Sequence, residues 1–275
     1  MGTIRVGVKI GPATEPAVAE RATHAEHLGY DSVWLSERVA VPVDKPHPYQ
    51  PMADPWIALA YIAAKTERVK LGTSVSQIAL RPPVLMAREL ATLDRLSDGR
   101  LIVGAGAGWV EEEFTSVGVP FATRGGRLNE FVQVLRHLWT TPEEAWNGKH
   151  FQVPAVKIVM PKTPGGPPLY LGASTPAGLN RVARYADGFL TTHLRPEAMA
   201  ALRAQIDQMT TALGRPRLPM ISQVLPPKTA AEAQELIEAA RTAGIDGVIV
   251  AHPLDDGQNQ PSDEVSRALL DCARD

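Results

Sequence analysis

Eight short apolar runs recur along the chain, and a segment of helical periodicity follows each one. The runs are 4–10, 32–35, 69–73, 101–105, 169–173, 188–192, 219–224 and 247–251. The segments that follow them are 15–28, 54–65, 83–97, 127–139, 176–185, 196–213, 230–243 and 262–273. A strand that reads as continuously apolar is buried on both faces, as in a parallel sheet covered by helices. Strand and helix in strict alternation, repeated this often, close into a (β/α)8 TIM barrel. An open doubly wound sheet is the rival, but it would leave some of these units without a place. The length of 275 residues suits one barrel, for which about 250 is typical, so residues 1–275 are read as a single domain.

Local signals fix several boundaries. Val18, Ala22, Ala25 and Leu28 share one helix face, and Gly29 supplies the stop. Asp54-Pro55 is a helix cap followed by proline in the first turn. The alternation breaks between 140 and 167, where prolines stand at 142, 154, 161, 164 and 167. This stretch reads as an insertion with a β-hairpin around 151–160.

Composition removes several classes of function. A net charge of −2 argues against a nucleic-acid or membrane-surface protein. No apolar run approaches the roughly 20 residues of a membrane-spanning helix, and no charged start followed by a long apolar stretch marks a secretion signal. The one cysteine, Cys272, cannot form an intrachain disulfide and suits a reducing cytoplasm.

The strands end in small residues. The third run opens into Gly72-Thr73-Ser74-Val75, and the fourth into Gly104-Ala105-Gly106-Ala107-Gly108. Glycine lets backbone approach a ligand closely, and parallel α/β proteins bind ligands at these strand ends. The second stretch lacks the dinucleotide fingerprint, because Trp109 stands where the last glycine is needed. It reads either as tight packing or as a platform for a planar cofactor. Gly172-Ala173-Ser174-Thr175-Pro176 offers free N–H groups at a helix start, either a phosphate nest or a simple hydroxyl cap. The seven histidines show no metal-binding spacing, so no metal site is expected. His24, His27 and His137 lie on helices. His47, His193 and His252 follow strands and so belong at the barrel mouth, where each is a candidate acid or base. Glu37 also follows a strand; with Arg38 it reads as a surface ion pair or as part of the site. Arg127 and Glu130, three apart on a helix, read as a structural ion pair.

Five segments together resemble the luciferase-like monooxygenase superfamily, and within it the branch using the deazaflavin coenzyme F420. They are LGYDSVWLSER (28–38), TERVKLGTSV (66–75), ATLDRLSDGRLIVGAGAGWVEEEF (91–114), RGGRLNEFVQVLRHLW (124–139) and PPLYLGASTPAGLNRVARYADGF (167–189). The resemblance runs in register from residue 4 to about 192. It implies a barrel whose mouth holds the cofactor's tricyclic ring. Ser74 and Val75 match the bulge that backs the ring, with a cis peptide between them. Ala105, Gly106 and Ala107 match the loop beside the ring, and Gly172, Ala173 and Ser174 the loop that holds the phosphate. Two positions depart: Arg38 stands where many relatives carry histidine, and Trp109 where members that oxidise a sugar phosphate carry an acid. Oxidation of a sugar phosphate is therefore not expected.

The resemblance thus implies an oxidoreductase that uses F420 for hydride transfer to or from a small organic substrate. An FMN-dependent monooxygenase shares the pocket and is the alternative. A carrier or sensor that binds a cofactor without turnover is a second alternative. Relatives pair through helices near strands two to four. The helices at 54–65 and 83–97 carry apolar residues on more than one face, so a homodimer is expected.

Overall fold

The structure is a computed structural model that describes residues 3–11, 16–44, 51–192, 195–251 and 260–274. In chain order the elements are β1 (Arg5–Lys9), α1 (Ala17–Leu28), β2 (Ser32–Leu35), α2 (Pro55–Ala63), β3 (Lys70–Thr73), α3 (Pro83–Leu96) and β4 (Leu101–Ala105). Then come α4 (Glu111–Ser116), α5 (Arg124–Thr140), β5 (Trp146–Asn147), β6 (Gln152–Val153), β7 (Leu169–Gly172) and α6 (Pro176–Tyr185). The chain closes with β8 (Gly188–Thr191), α7 (Pro196–Ala212), β9 (Met220–Val224), α8 (Ala230–Thr242), β10 (Gly247–Val250) and α9 (Asp263–Arg274). Eight strands form a closed barrel in the order β1-β10-β9-β8-β7-β4-β3-β2, with every pairing parallel. This is the expected (β/α)8 architecture, and the open-sheet rival falls.

The expected caps are present. Gly29 ends α1 at φ 100°, a conformation that costs glycine little. The Asp54 carboxylate accepts from the N–H groups of Trp56 (2.8 Å) and Ile57 (3.3 Å) and so starts α2.

The barrel interior is filled by large side chains. Trp34 lies on β2, wholly buried, beside Gly7 of β1 and Gly72 of β3. A Cβ on Gly72 would stand 2.3 Å from the Trp34 ring, and one on Gly188 would stand 2.4 Å from the Tyr170 ring. Trp34, Ile102, Tyr170, Leu190, Ile221 and Ile249 make one inner cluster, on which Val75 packs. The larger cluster lies between the strands and the helices around them.

The insertion differs from expectation. Its hairpin pairs Trp146–Asn147 with Gln152–Val153, earlier than 151–160, and 154–160 holds no regular structure. The cause is Glu130 on α5. Its carboxylate accepts from the N–H groups of His150 (2.9 Å) and Phe151 (2.9 Å) and from Trp146 Nε1 (3.3 Å), which places the turn. Burial acts to raise the Glu130 pKa, but these hydrogen bonds outweigh it and hold the carboxyl below its usual range. The expected Arg127–Glu130 pair does not form. Arg127 instead donates to the Ala79 carbonyl and lies over the Phe151 ring, 4.5 Å from its centre. The far end of the insertion is tied by buried Asp94 of α3, which accepts from the Thr163 N–H (2.7 Å) and hydroxyl (3.0 Å).

Two helices differ from expectation. Helix α5 begins at Arg124 rather than 127, so Gly125 and Gly126 lie within its first turn. Helix α4 was not expected. It opens on three successive acids, Glu111 to Glu113, whose charge suits a helix start.

Candidate functional site

At the mouth, β3 does not stop at Thr73. The Thr73 hydroxyl donates to the Gly104 carbonyl (2.7 Å) and accepts from the Gly104 N–H (3.1 Å), locking β3 to β4. The chain then bulges through Ser74 and Val75, whose peptide bond is cis. Pairing with β4 resumes at Ser76, whose N–H donates to the Gly104 carbonyl (2.8 Å) and whose carbonyl accepts from the Gly106 N–H (2.9 Å).

The bulge brings three strand ends together. A Cβ on Gly106 would stand 2.7 Å from Val75 Cγ2, and one on Gly172 would stand 3.1 Å from Val75 Cγ1. The methyls of Val75 therefore rest between bare backbone of β4 and β7. Ala105 is buried, Ala107 half-buried, and Ser74 only 6% exposed. The Ser74 hydroxyl has no hydrogen-bond partner, although its oxygen is buried. Buried polar atoms rarely stay unsatisfied without a reason.

The start of α6 keeps both features expected of it. Thr175 is the cap, accepting from the Gly178 N–H at 3.2 Å, and Pro176 occupies the first turn. Ser174 is exposed just before it. The cap hydroxyl belongs to Thr175, which leaves the N–H groups of 173–175 outside the helix's own bonding.

Behind the bulge lies a buried polar network. Glu37 Oε2 accepts from the Ser76 hydroxyl (2.6 Å) and the Gln77 N–H (2.6 Å), while Oε1 accepts from Arg81 (2.6 Å). Arg81 also reaches the α2 cap, Asp54, at 2.8 Å. Burial opposes the charge of Arg81, but Glu37 and Asp54 outweigh it, so its pKa is raised. Glu113, fully buried on α4, accepts from the Val39 N–H (2.8 Å), from Gln77 Nε2 (2.9 Å) and from Arg38 (3.3 Å). The reading of Glu37 and Arg38 as a mutual surface pair is corrected: each pairs with another residue, and Glu37 is buried. Both oxygens of Glu37 are engaged, so it acts on the backbone after the bulge. Arg38 also stacks on Trp109, 5.0 Å from the ring centre, and Trp109 is 60% exposed at the end of the β4 loop.

These residues sit within a chain whose sequence matches the model of luciferase-like monooxygenases over residues 4–268. The chain belongs to the luciferase-like monooxygenase family. An uncharacterised protein from Mycobacterium tuberculosis is 32% identical over 220 residues, covering 75% of this chain and 77% of the relative. An F420-dependent glucose-6-phosphate dehydrogenase from Nakamurella multipartita is 34% identical over 201 residues, covering 69% of this chain and 56% of the enzyme. Among solved structures, an F420-dependent secondary alcohol dehydrogenase in complex with an F420–acetone adduct superposes with a TM-score of 0.82. The match covers 100% of both chains at 18% identity, a likeness of fold.

In this luciferase-like barrel, Ser74, Val75, Ala105, Gly106, Ala107, Gly172, Ala173 and Ser174 all fall at the C-terminal ends of β3, β4 and β7. His47, His193 and His252 lie outside the described residues. Sequence reasoning missed Arg81, Gln77 and Glu113. Only Glu113 gave any signal, as one of three adjacent acids. Nothing in the sequence separates the buried acid from its two neighbours until α4 turns it inward.

Proposed function

We propose that this luciferase-like chain is an F420-dependent oxidoreductase, transferring hydride to or from a small organic substrate. The observation that carries the reading is the mouth around Val75, with an unpartnered buried hydroxyl at Ser74 beside it. A tricyclic ring needs an apolar backstop and backbone close to its edge. Val75 would supply the first, and Ala105, Gly106 and Ala107 the second. Gly172, Ala173 and Ser174 would hold the cofactor phosphate through N–H groups at the start of α6. When bound, F420 supplies a carbon centre that accepts or donates hydride. The chain's own task is to orient and seal. The Ser74 hydroxyl would bond a polar edge of the ring, Glu37 fixes the backbone behind it, and the filled barrel below excludes water.

The relatives whose names carry F420 support this cofactor. FMN is the second reading, favoured by the family's description as monooxygenases. Trp109, stacked by Arg38, stands where the resemblance assigns an acid to members that oxidise a sugar phosphate, so we do not propose a sugar phosphate as the substrate. Anaerobic titration with F420 and with FMN, followed by optical spectra, tests the cofactor. Tight binding of F420 alone is the expected result. Tight binding of FMN alone, with oxygen consumed on reduction, would replace it with the monooxygenase. Binding without turnover of any alcohol, aldehyde or enone would indicate a carrier or sensor.

The same reading places the chain in the cytoplasm as a homodimer with an isologous contact. A groove of about 600 Å³ runs between α2 and α3. Ile57, 75% exposed, and Leu96, 67% exposed, stand on it. Trp56 Nε1 and Arg81 Nη1, from residues that also line it, are buried without partners. Light scattering at micromolar concentration should give twice the chain mass, and a monomer would remove this part of the reading.

A further inference from the structure

The end of the barrel opposite the mouth carries charge below Trp34, where interiors of this architecture are usually filled by apolar layers. A Cβ on Gly7 would run into the Ser32 hydroxyl and the Trp34 ring, and one on Gly72 would run into the same ring, so both glycines face the bore. Side chains two residues apart on a strand share a face. Arg5 precedes Gly7 by two on β1, and Lys70 precedes Gly72 by two on β3. Between them, Ser32 of β2 is the register partner of both Gly7 and Lys70. Three adjacent strands therefore aim a guanidinium, a hydroxyl and an ammonium into one cavity of about 660 Å³, whose apolar wall includes Ile102 and Ile221.

The equivalent corners of the barrel are built differently. Asp31, Asp187 and Asp246 each stand just before a strand. Each accepts from an N–H at the start of the preceding barrel strand: Val6 (2.7 Å), Leu169 (2.8 Å) and Met220 (2.8 Å). Asp187 also binds Arg136 (2.8 Å), and Asp246 also binds Arg217 (2.6 Å). Among the described residues Asp31 binds no cation, although Arg5 and Lys70 line the same cavity. Arg5 Nε reaches only the Asp246 carbonyl at 3.4 Å, and Lys70 Nζ only the Gly99 carbonyl at 3.5 Å, both at the limit of a hydrogen bond. The lining as a whole holds four cations, with Arg68 and Arg274, against two carboxylates, Glu26 and Asp31. Glu26 is turned to the N–H groups of Glu67, Arg68 and Val69, and Arg274 is shared with Asp271 outside the cavity (3.6 Å).

Ser32 adds an independent sign. It is only 7% exposed, and its oxygen accepts from Trp34 Nε1 at 2.8 Å. Among the described residues its own proton meets no acceptor. Buried polar groups seldom leave a donor unmet.

We propose that Arg5, Ser32 and Lys70 form an anion site at the end of the barrel opposite the mouth, taking a small molecule that carries a phosphate or a carboxylate. The two cations would supply charge-assisted hydrogen bonds and the Ser32 hydroxyl a neutral one, while Ile102 and Ile221 would receive the apolar body of the ligand. Trp34 lies in the inner cluster on which Val75 packs, so the ring stands between this site and the mouth. The anion does not compete with a cofactor there, and the proposal does not rest on the F420 reading.

The test is calorimetric titration of the full chain with inorganic pyrophosphate and with citrate at low ionic strength. The wild type should bind saturably, and the tighter of the two probes assigns the ligand as phosphate or carboxylate. Arg5→Gln and Lys70→Gln should each weaken that binding roughly tenfold, the range for losing one charge-assisted contact. Each side chain makes one long carbonyl contact, so both variants should keep the wild-type melting temperature. Gly172→Val, at the mouth, should keep the anion affinity of the wild type. No saturable binding by the wild type, wild-type affinity in Arg5→Gln and Lys70→Gln, or loss of anion binding in Gly172→Val alone would overturn the site. Titration of the same two variants with F420 keeps the two readings apart. Weakened anion binding with unchanged F420 affinity is the expected result. Equal losses of both would move the anion to the mouth and overturn the site. A wild type that binds no F420, with variants that still lose the anion, would end the cofactor reading and leave this site standing.

Discussion

Deep in the barrel, Gly7, Gly72 and Gly188 make room for aromatic rings; at the mouth, Gly106 and Gly172 leave backbone bare beside Val75. The contacts differ in kind. A Cβ on Gly72 would meet the buried Trp34 ring at 2.3 Å, and that ring is held on all sides. A Cβ on Gly172 would meet a single methyl at 3.1 Å, on a half-buried valine open to the mouth. Interior glycines are therefore part of packing, and mouth glycines are part of access. The same residue type serves stability at one level and binding at the other.

The sharpest test of that contrast is Gly72→Ala. Overpacking against a rigid ring should cost about 3 kcal/mol or more, read as a large fall in melting temperature. A variant as stable as the wild type would mean that the interior yields as easily as the mouth.

Glu37→Gln comes next. The amide replaces an acceptor by a donor facing the Ser76 hydroxyl, the Gln77 N–H or Arg81, and leaves Arg81 with Asp54 alone. Breaking a buried pair in this way should cost about 3 kcal/mol. Cofactor affinity should fall with it, because the bulge loses its anchor. A stability loss with unchanged affinity would separate the network from the site.

Gly172→Val probes the mouth directly. Cofactor binding should weaken by at least roughly tenfold, about 1.4 kcal/mol, while the melting temperature stays near that of the wild type. If this variant unfolds as Gly72→Ala does, the distinction between the two levels is lost.

The smallest effect belongs to Ser74→Ala. Its hydroxyl has no partner in the free protein, so removing it should leave stability unchanged or slightly raised. Cofactor affinity should fall by about 1 kcal/mol, the value of one neutral hydrogen bond. Equal affinity in calorimetry would leave the orphaned hydroxyl without a role.

Legibility in the sequence followed the range of the forces involved. The eight barrel strands and the helix at Pro176–Tyr185 were readable because apolar runs, capping residues and glycine stops act within a few residues. The hairpin is not placed by its own residues, because its position depends on Glu130, some 20 residues earlier in the chain. The start of α5 is hidden in the sequence because Gly-Gly reads locally as a loop. In the fold those glycines are where Arg181 and His150 lie against the helix.

The sequence by itself determined the barrel, its eight strands with a helix after each, and the family, since alternation and local motifs carry that information directly. Tertiary structure alone decided which acids are buried and what each one holds. Glu37 and Arg38 are adjacent in the chain, yet one side chain runs to Ser76, Gln77 and Arg81, while the other runs to Glu113. Successive residues leaving a strand point in different directions, so neighbours in sequence need not be neighbours in charge. Their partners come from other strands and helices, brought within hydrogen-bond reach only when the barrel closes.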